Sequence, residues 1–227
     1  MKTCLIVIDV QESFRHRPFF TETGLPAYLA AQNALIEGCI AQGIPVVRVF
    51  HSEGPETAAN PFSQTSGHVS PLKGLADFDA AATFTKSRHS ALVGTGLEVW
   101  LTRHGVQNLI ISGIRTEQCC ETTTRVASDL GFNVYYVTEA TLTFTMTHAD
   151  GTVYSADEIK KRTELVLAGR FARICTVADM DAILLKQVKP KASGLNARFF
   201  DNRKASLLAQ LPARVVYASG RETARNY

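Results

Sequence analysis

Three residues far apart in the chain, Asp9, Lys86 and Cys119, have the types that a covalent hydrolytic cycle needs: a nucleophile, a base and a cation. Cys119 lies in NLIISGIRTEQCCETTTRVASDLG, residues 108–131, which reads as strand, sharp turn and helix. Leu109 to Ile111 is a short apolar run, Gly113 punctuates it, and Gly131 ends the helix-forming stretch that follows Thr116. A cysteine at the mouth of a helix faces free backbone N–H groups and the positive end of the helix dipole, which favour a thiolate and can also hold an oxyanion. A lone cysteine is more often an inert buried hydrophobe, so the argument depends on partners elsewhere in the chain.

Those partners come from strand ends. Cys4 to Val10, CLIVIDV, is a nearly continuous apolar run, the pattern of a central parallel strand buried on both faces, and Asp9 stands at its end. From Asp9 alone, a ligand-facing acid and a loop or helix-capping carboxylate are equally good readings. The loop after it, Gln11 to Phe20, holds Gln11, Phe14, Arg15, His16, Arg17 and Phe19, suited either to walling a pocket or to packing. Thr83 to Lys86 is a short strand ending in a lysine, with Arg88 just beyond; for Lys86 the ordinary alternative is a solvated charge.

Helical spacing over Pro26 to Gln42 leads to a second strand, Pro45 to Phe50, and then to a Gly-, Pro- and Ser-rich stretch from His51 to Asp79. That stretch is long enough to form a lid or pocket wall. His51 and His68 fall in it without a metal-ligand spacing, so both read as loop histidines and no metal is expected. Thr95 with Glu98, and Ser155 with Glu158, have the spacing of capping boxes opening helices that end at Gly105 and Gly169. Strands at Asn133 to Thr138 and Ala172 to Thr176, a polar loop at Thr141 to Tyr154, and a closing helix at Val177 to Gln187 complete the alternation. Alternating strand and helix predict a three-layer α/β/α architecture around a doubly wound parallel sheet, whose C-terminal strand ends share one rim. Asp9, Lys86 and Cys119 can then converge.

The chain of 227 residues, 45% hydrophobic and 20% charged, suits one globular domain over residues 1–187. No apolar run approaches a membrane span, and the start of the chain lacks a signal-peptide design, so a cytoplasmic protein with no membrane partner is expected. Five cysteines of irregular spacing suit reduced thiols. Residues 188–227 form a basic C-terminal extension, carrying Lys189, Lys191, Arg198, Arg203, Lys204, Arg214, Arg221 and Arg225 against Asp201 and Glu222. A subunit-contact arm or solvated extension explains it as well as nucleic-acid binding, for which no aromatic interleaving speaks.

The segments DVQ at Asp9–Gln11, KSRHSA from Lys86, and GIRTEQCCETT at Gly113–Thr123 together resemble the isochorismatase-like cysteine hydrolases, the group of nicotinamidases, N-carbamoylsarcosine amidase and ureidoacrylate hydrolases. The resemblance spans about residues 1–187. It implies a six-stranded sheet, Cys119 as nucleophile, Asp9 as general base and Lys86 as third member of the triad. It further implies an oxyanion hole from the backbone N–H groups of Arg115 and Cys119, a cis peptide at Ile114–Arg115, no cofactor, and hydrolysis of a C–N bond in a small amide, carbamoyl or ureido compound. Gln11, Phe14, Arg88 and Arg115 are the candidate substrate contacts. Arg115 stands where such proteins usually have a small residue; turned inward it would clamp an acidic substrate, turned outward it would pair with an acid at the surface. A homo-oligomer, dimer or tetramer, is expected. Two other classes stay open: a redox-active thiol protein using Cys119 and Cys120, and a non-catalytic binding protein using the basic tail.

Overall fold

The computed structural model describes residues 2–187. The basic extension expected over 188–227 lies outside the described residues. Strands β1 (Lys2–Ile8), β2 (Val46–His51), β3 (Ala82–Lys86), β4 (Val106–Ile114), β5 (Asn133–Leu142) and β8 (Arg173–Cys175) form one sheet in the order β3-β2-β1-β4-β5-β8, every neighbouring pair parallel. The remaining two strands, β6 (Met146–Thr147) and β7 (Val153–Tyr154), make a small antiparallel hairpin.

The apolar run of β1 shows why the sheet must be covered on both sides. Leu5 and Val7 enter one core with Tyr28, Leu35 and Ile36 of α1 (Leu25–Ala41) and Met180 of α5 (Val177–Gln187). Cys4, Ile6 and Ile8 enter the other, with Leu97 and Leu101 of α2 (Leu97–Arg103), Ala127 of α3 (Glu121–Asp129) and Leu167 of α4 (Ala156–Leu167). Successive side chains of a strand point to opposite faces, so an uninterrupted apolar strand needs a helical layer on each. Three layers result, as expected. No helix among the described residues is long and apolar enough to cross a membrane.

Four local expectations need correction. β2 runs one residue further than expected and takes in His51, which pairs in register with Lys86 of β3. β5 continues to Leu142, because Thr141 and Leu142 pair with Gly113 and Ile114 of β4 after a register shift; the polar composition there had suggested a loop. The expected loop over Thr141 to Tyr154 also contains the β6–β7 hairpin. The capping box at Thr95 and Glu98 does not form: Gly96 caps α2, while Thr95 donates to the Ala91 carbonyl and accepts from the Leu97 N–H. The box at Ser155 and Glu158 is complete.

The long segment after β2 is tied down rather than free. Leu72 N–H donates to the Val10 carbonyl and Ser13 N–H to the His68 carbonyl, while Phe62 and Leu72 are buried in the core. This lays the segment against the loop that follows β1, and Phe62 with Glu53 forms part of a cleft wall.

Candidate active site

The strand order reverses direction between β1 and β4: chain progress from β1 goes through β2 to β3 on one side, then returns to β4 and β5 on the other. At such a switch point the loops leave in opposite directions and a crevice opens beyond the strand ends. Asp9 follows β1, Cys119 follows β4, and Lys86 and His51 end β3 and β2, so four neighbouring strands deliver one side chain each.

Asp9 has φ 53°, in the left-handed region that residues with side chains seldom adopt. Beside it, Gly113 of β4 has φ 131°, and a Cβ there would stand 1.9 Å from the Ile8 carbonyl oxygen. Only glycine permits this approach of β4 to the end of β1. Beyond Gly113 the Ile114–Arg115 peptide is cis. A single turn of π-helix, Thr116–Cys120, then carries Cys119 into α3, with Cys120 N–H donating to the Arg115 carbonyl. β5 and the residue after it brace this turn: Tyr136 Oη donates to the Thr116 carbonyl at 2.8 Å, Thr116 Oγ1 to Thr141 Oγ1 at 2.8 Å, and Thr143 Oγ1 to Glu117 Oε2 at 2.5 Å. The extra length of β5 thus supports the turn that carries Cys119. Another brace joins two of the sequence motifs, since Ala91 N–H donates to Thr123 Oγ1 at 2.9 Å.

Lys86 is the hub. Its Nζ lies 2.7 Å from Asp9 Oδ2, 2.9 Å from His51 Nδ1 and 3.3 Å from Cys119 Sγ. The side chains of Lys86 and Asp9 are wholly buried, and Cys119 is 6% exposed at the floor of a cleft of about 320 Å³. Burial and the charge of Asp9 push the Cys119 thiol up, with Lys86 only partly opposing them. The adjacent carboxylate and the dry surroundings thus work against the helix terminus, which favours the thiolate. Burial likewise raises Asp9 above the ordinary carboxylate range against the pull of Lys86, which makes it a stronger base. Burial alone would lower Lys86, but Asp9 and Cys119 more than offset it and hold the ammonium charged. Beyond the Lys86 contact at Oδ2, neither Asp9 oxygen has a hydrogen-bond partner among the described residues, so the carboxylate keeps acceptor capacity beside the thiol.

His51, expected in a loop, is buried at this hub, with Nε2 3.1 Å from Glu53 Oε2. Sequence reading missed it because its significance lies in the cross-strand register with Lys86, which no local pattern carries. His68 instead stacks on His16, ring centroids 3.7 Å apart. Among the described residues no group of three or more His, Cys, Asp or Glu side chains is arranged to hold a metal.

The four candidate substrate contacts separate. Phe14 lines the cleft and meets Phe62 edge to face at 5.1 Å. Gln11 is fully buried away from the cleft lining: its Nε2 donates to Ser13 Oγ and to the His51 carbonyl, and its Oε1 accepts the His51 N–H at 2.7 Å. Its amide continues the sheet's hydrogen bonding past β1, which leaves no group for a substrate. Arg88 is exposed and outside the lining. Arg115 does line the cleft, yet its Nη2 is paired with Glu117 Oε1 at 2.8 Å and its guanidinium lies over the rings of Phe19 and Phe144. This is a partly buried partner inside the fold, where the outward alternative had supposed a surface acid. All five cysteines are free thiols, and Cys120 is fully buried.

A match to the isochorismatase domain model over residues 3–179 covers most of the chain. The chain belongs to the isochorismatase family. Among curated relatives, this family member is 28% identical over 176 residues to the uncharacterized isochorismatase family protein YrdC of Bacillus subtilis, covering 77% of this chain and 92% of that one. It is 38% identical to Nicotinamidase 3 of Arabidopsis thaliana over 89 residues, 36% of this chain and 45% of the relative. An isochorismatase-family structure from Chromobacterium violaceum superposes with a TM-score of 0.74 at 27% identity, covering 82% of this chain and 94% of the other. A cysteine hydrolase from Pseudomonas syringae shares the fold at a TM-score of 0.74 and 19% identity, covering 82% and 93%. In this isochorismatase-family hydrolase Cys119 lines the switch-point cleft.

Proposed function

We propose that this protein is a cofactor-independent cysteine hydrolase that cleaves a C–N bond of a small amide, carbamoyl or ureido compound through an acyl-enzyme on Cys119. The observation that carries the reading is the buried Lys86 ammonium in contact with both Asp9 and Cys119 at the floor of a small cleft. A resting thiol beside a carboxylate of raised proton affinity is suited to a proton transfer timed with attack.

In the proposed cycle Asp9 takes the thiol proton as Cys119 Sγ bonds to the substrate carbonyl carbon. The developing oxyanion faces the backbone N–H groups of Arg115 and Cys119, fixed donors that need no reorganisation. Lys86 stays protonated and stabilises the sulfur while it carries negative charge. Collapse breaks the C–N bond, and the amine leaves with the proton held by Asp9. Water then enters, gives a proton to Asp9 and attacks the thioester or thiocarbamate carbonyl; the acid departs and the proton returns to sulfur. Each step needs only substrate, water, the cleft residues and the Lys86 ammonium buried against Asp9 and Cys119.

The partial likeness to Nicotinamidase 3 supports an amide-type substrate, and a cleft of about 320 Å³ with Phe14, Phe19 and Phe62 in its walls supports a small one. Screening amides, N-carbamoyl compounds and ureido acids for ammonia release, with Cys119→Ala as control, tests the reading. Turnover by the wild type with a fall of at least about 10⁴-fold in the variant is expected from loss of the nucleophile. A substrate hydrolysed equally well by Cys119→Ala would overturn it.

A further inference from the structure

The ammonium of Lys86 has three protons and three neighbours, and the third neighbour has no place in the Asp9–Lys86–Cys119 scheme. We infer that His51 is a positioning residue for that scheme, an acceptor that holds the Lys86 ammonium where it can serve both Asp9 and Cys119, with Glu53 fixing the imidazole tautomer. The inference rests on the proposed function for its kinetic consequence but not for its geometry.

An ammonium can only donate, so at 2.9 Å from Lys86 Nζ the Nδ1 of His51 must be the lone-pair nitrogen. The ring proton then sits on Nε2, where it donates to Glu53 Oε2 at 3.1 Å. Both ends of the ring are thereby assigned by chemistry. The ring itself is held in place: its backbone N–H and carbonyl are bonded to the Gln11 amide, and Phe62 meets it edge to face at 5.7 Å. A lysine side chain has four rotatable carbons and a compact charge that can swing between partners. Without an acceptor on the β2 side, the ammonium would follow the Asp9 carboxylate alone, and its contact with Cys119 would loosen. Burial and the nearby Lys86 charge keep the imidazole below its ordinary value, in the neutral form this role requires. The charged groups acting on it are Lys86 from β3, Asp9 from the end of β1, and Glu53 from its own loop; Arg17 and His89 act on Glu53 from the neighbouring loops.

The experiment reads Cys119 without any substrate. Iodoacetamide alkylation, with the modified cysteine located by mass spectrometry, is followed against pH for the wild type, His51→Leu and His51→Asn. The other four cysteines are buried outside the cleft lining, so Cys119 is the reporter. In His51→Leu the alkylation rate at a fixed pH should fall by about tenfold to a hundredfold, the range for one lost hydrogen bond to a charged group, and its pH profile should move up. His51→Asn, whose amide oxygen falls where Nδ1 was, should recover most of the rate. With a hydrolysed substrate in hand, kcat should fall in His51→Leu while KM stays near the wild-type value, since His51 acts through Lys86.

A wild-type alkylation profile in His51→Leu would overturn the inference, as would an Asn variant as slow as the Leu variant. If His51→Leu does not fold, Glu53→Ala carries the test, because Glu53 is half exposed at the cleft rim. A several-fold slower alkylation is expected there, and an unchanged rate overturns the inference. A failed substrate panel leaves these outcomes readable, so the positioning role and the hydrolase reading fail separately.

Discussion

Replacing Lys86 with Met removes the charge at the hub while keeping a long flexible side chain in its place. The consequence for stability follows from the pair geometry: Nζ and Asp9 Oδ2 are 2.7 Å apart with both side chains wholly buried. At an effective dielectric of about 20, the attraction at that distance is roughly 6 kcal/mol. Much of that offsets desolvation, and breaking one side of a buried pair typically costs about 3–5 kcal/mol because the remaining charge is stranded. The stranded Asp9 has an escape, which is to bind a proton. Burial already raises its proton affinity and Lys86 opposes this, so removing Lys86 raises it further. A carboxylate whose folded-state value lies above its unfolded value binds more protons when folded, so it stabilises most below the unfolded value and less as pH rises through the folded one. Lys86→Met should therefore lose about 3–5 kcal/mol near neutral pH and regain part of it as pH falls toward the ordinary Asp value of 3.8. Urea unfolding at several pH values, followed by circular dichroism, measures both terms. Alkylation of Cys119 should slow in the same protein, because Lys86 is the group that lowers the thiol against burial and Asp9. A loss under about 1 kcal/mol with no dependence on pH would refute the claim that this pair is a tightly coupled buried charge pair.

Gly113→Ala should be among the most damaging single-methyl changes in the chain: the new Cβ would meet the Ile8 carbonyl at 1.9 Å, and the obstacle is backbone, so β1 and β4 must part. A loss of at least about 3 kcal/mol in urea unfolding, or no soluble protein, is expected from overpacking plus backbone strain, and a variant within about 1 kcal/mol of wild type would contradict the register at that point. Arg115→Ala should lower kcat/KM alike for acidic and neutral substrates, because the guanidinium is already paired with Glu117; a loss confined to acidic substrates would show that the arginine leaves Glu117 to hold a carboxylate.

Much of the architecture is local information repeated. β1 had to be a central strand because seven residues from Cys4 to Val10 offer one interruption, Asp9, to an apolar run, and β4 announced itself through Leu109 to Ile111 and Gly113. Once strand and helix alternate, parallel pairing and a shared C-terminal rim follow from chain connectivity, which is why Asp9, Lys86 and Cys119 were recognisable as candidates before any coordinates. Ser155 and Glu158 formed their box because everything it needs lies within four residues. What tertiary structure alone decided depends on partners distant in sequence. His51 and Lys86 are 35 residues apart and meet only because β2 and β3 are neighbours in register. Gln11 was a plausible substrate contact until the His51 backbone, 40 residues away, proved to occupy its amide. Thr141 looked like loop because of the polar, threonine-rich composition, although Ala140, Leu142, Phe144 and Met146 alternate with threonines there; the strand is held by β4 and by the hydroxyl bond to Thr116. The balance acting on the Cys119 thiol was hidden for the same reason: a helix mouth is visible in sequence, whereas burial and the nearby Asp9 charge, which push the thiol up, are properties of the assembled sheet.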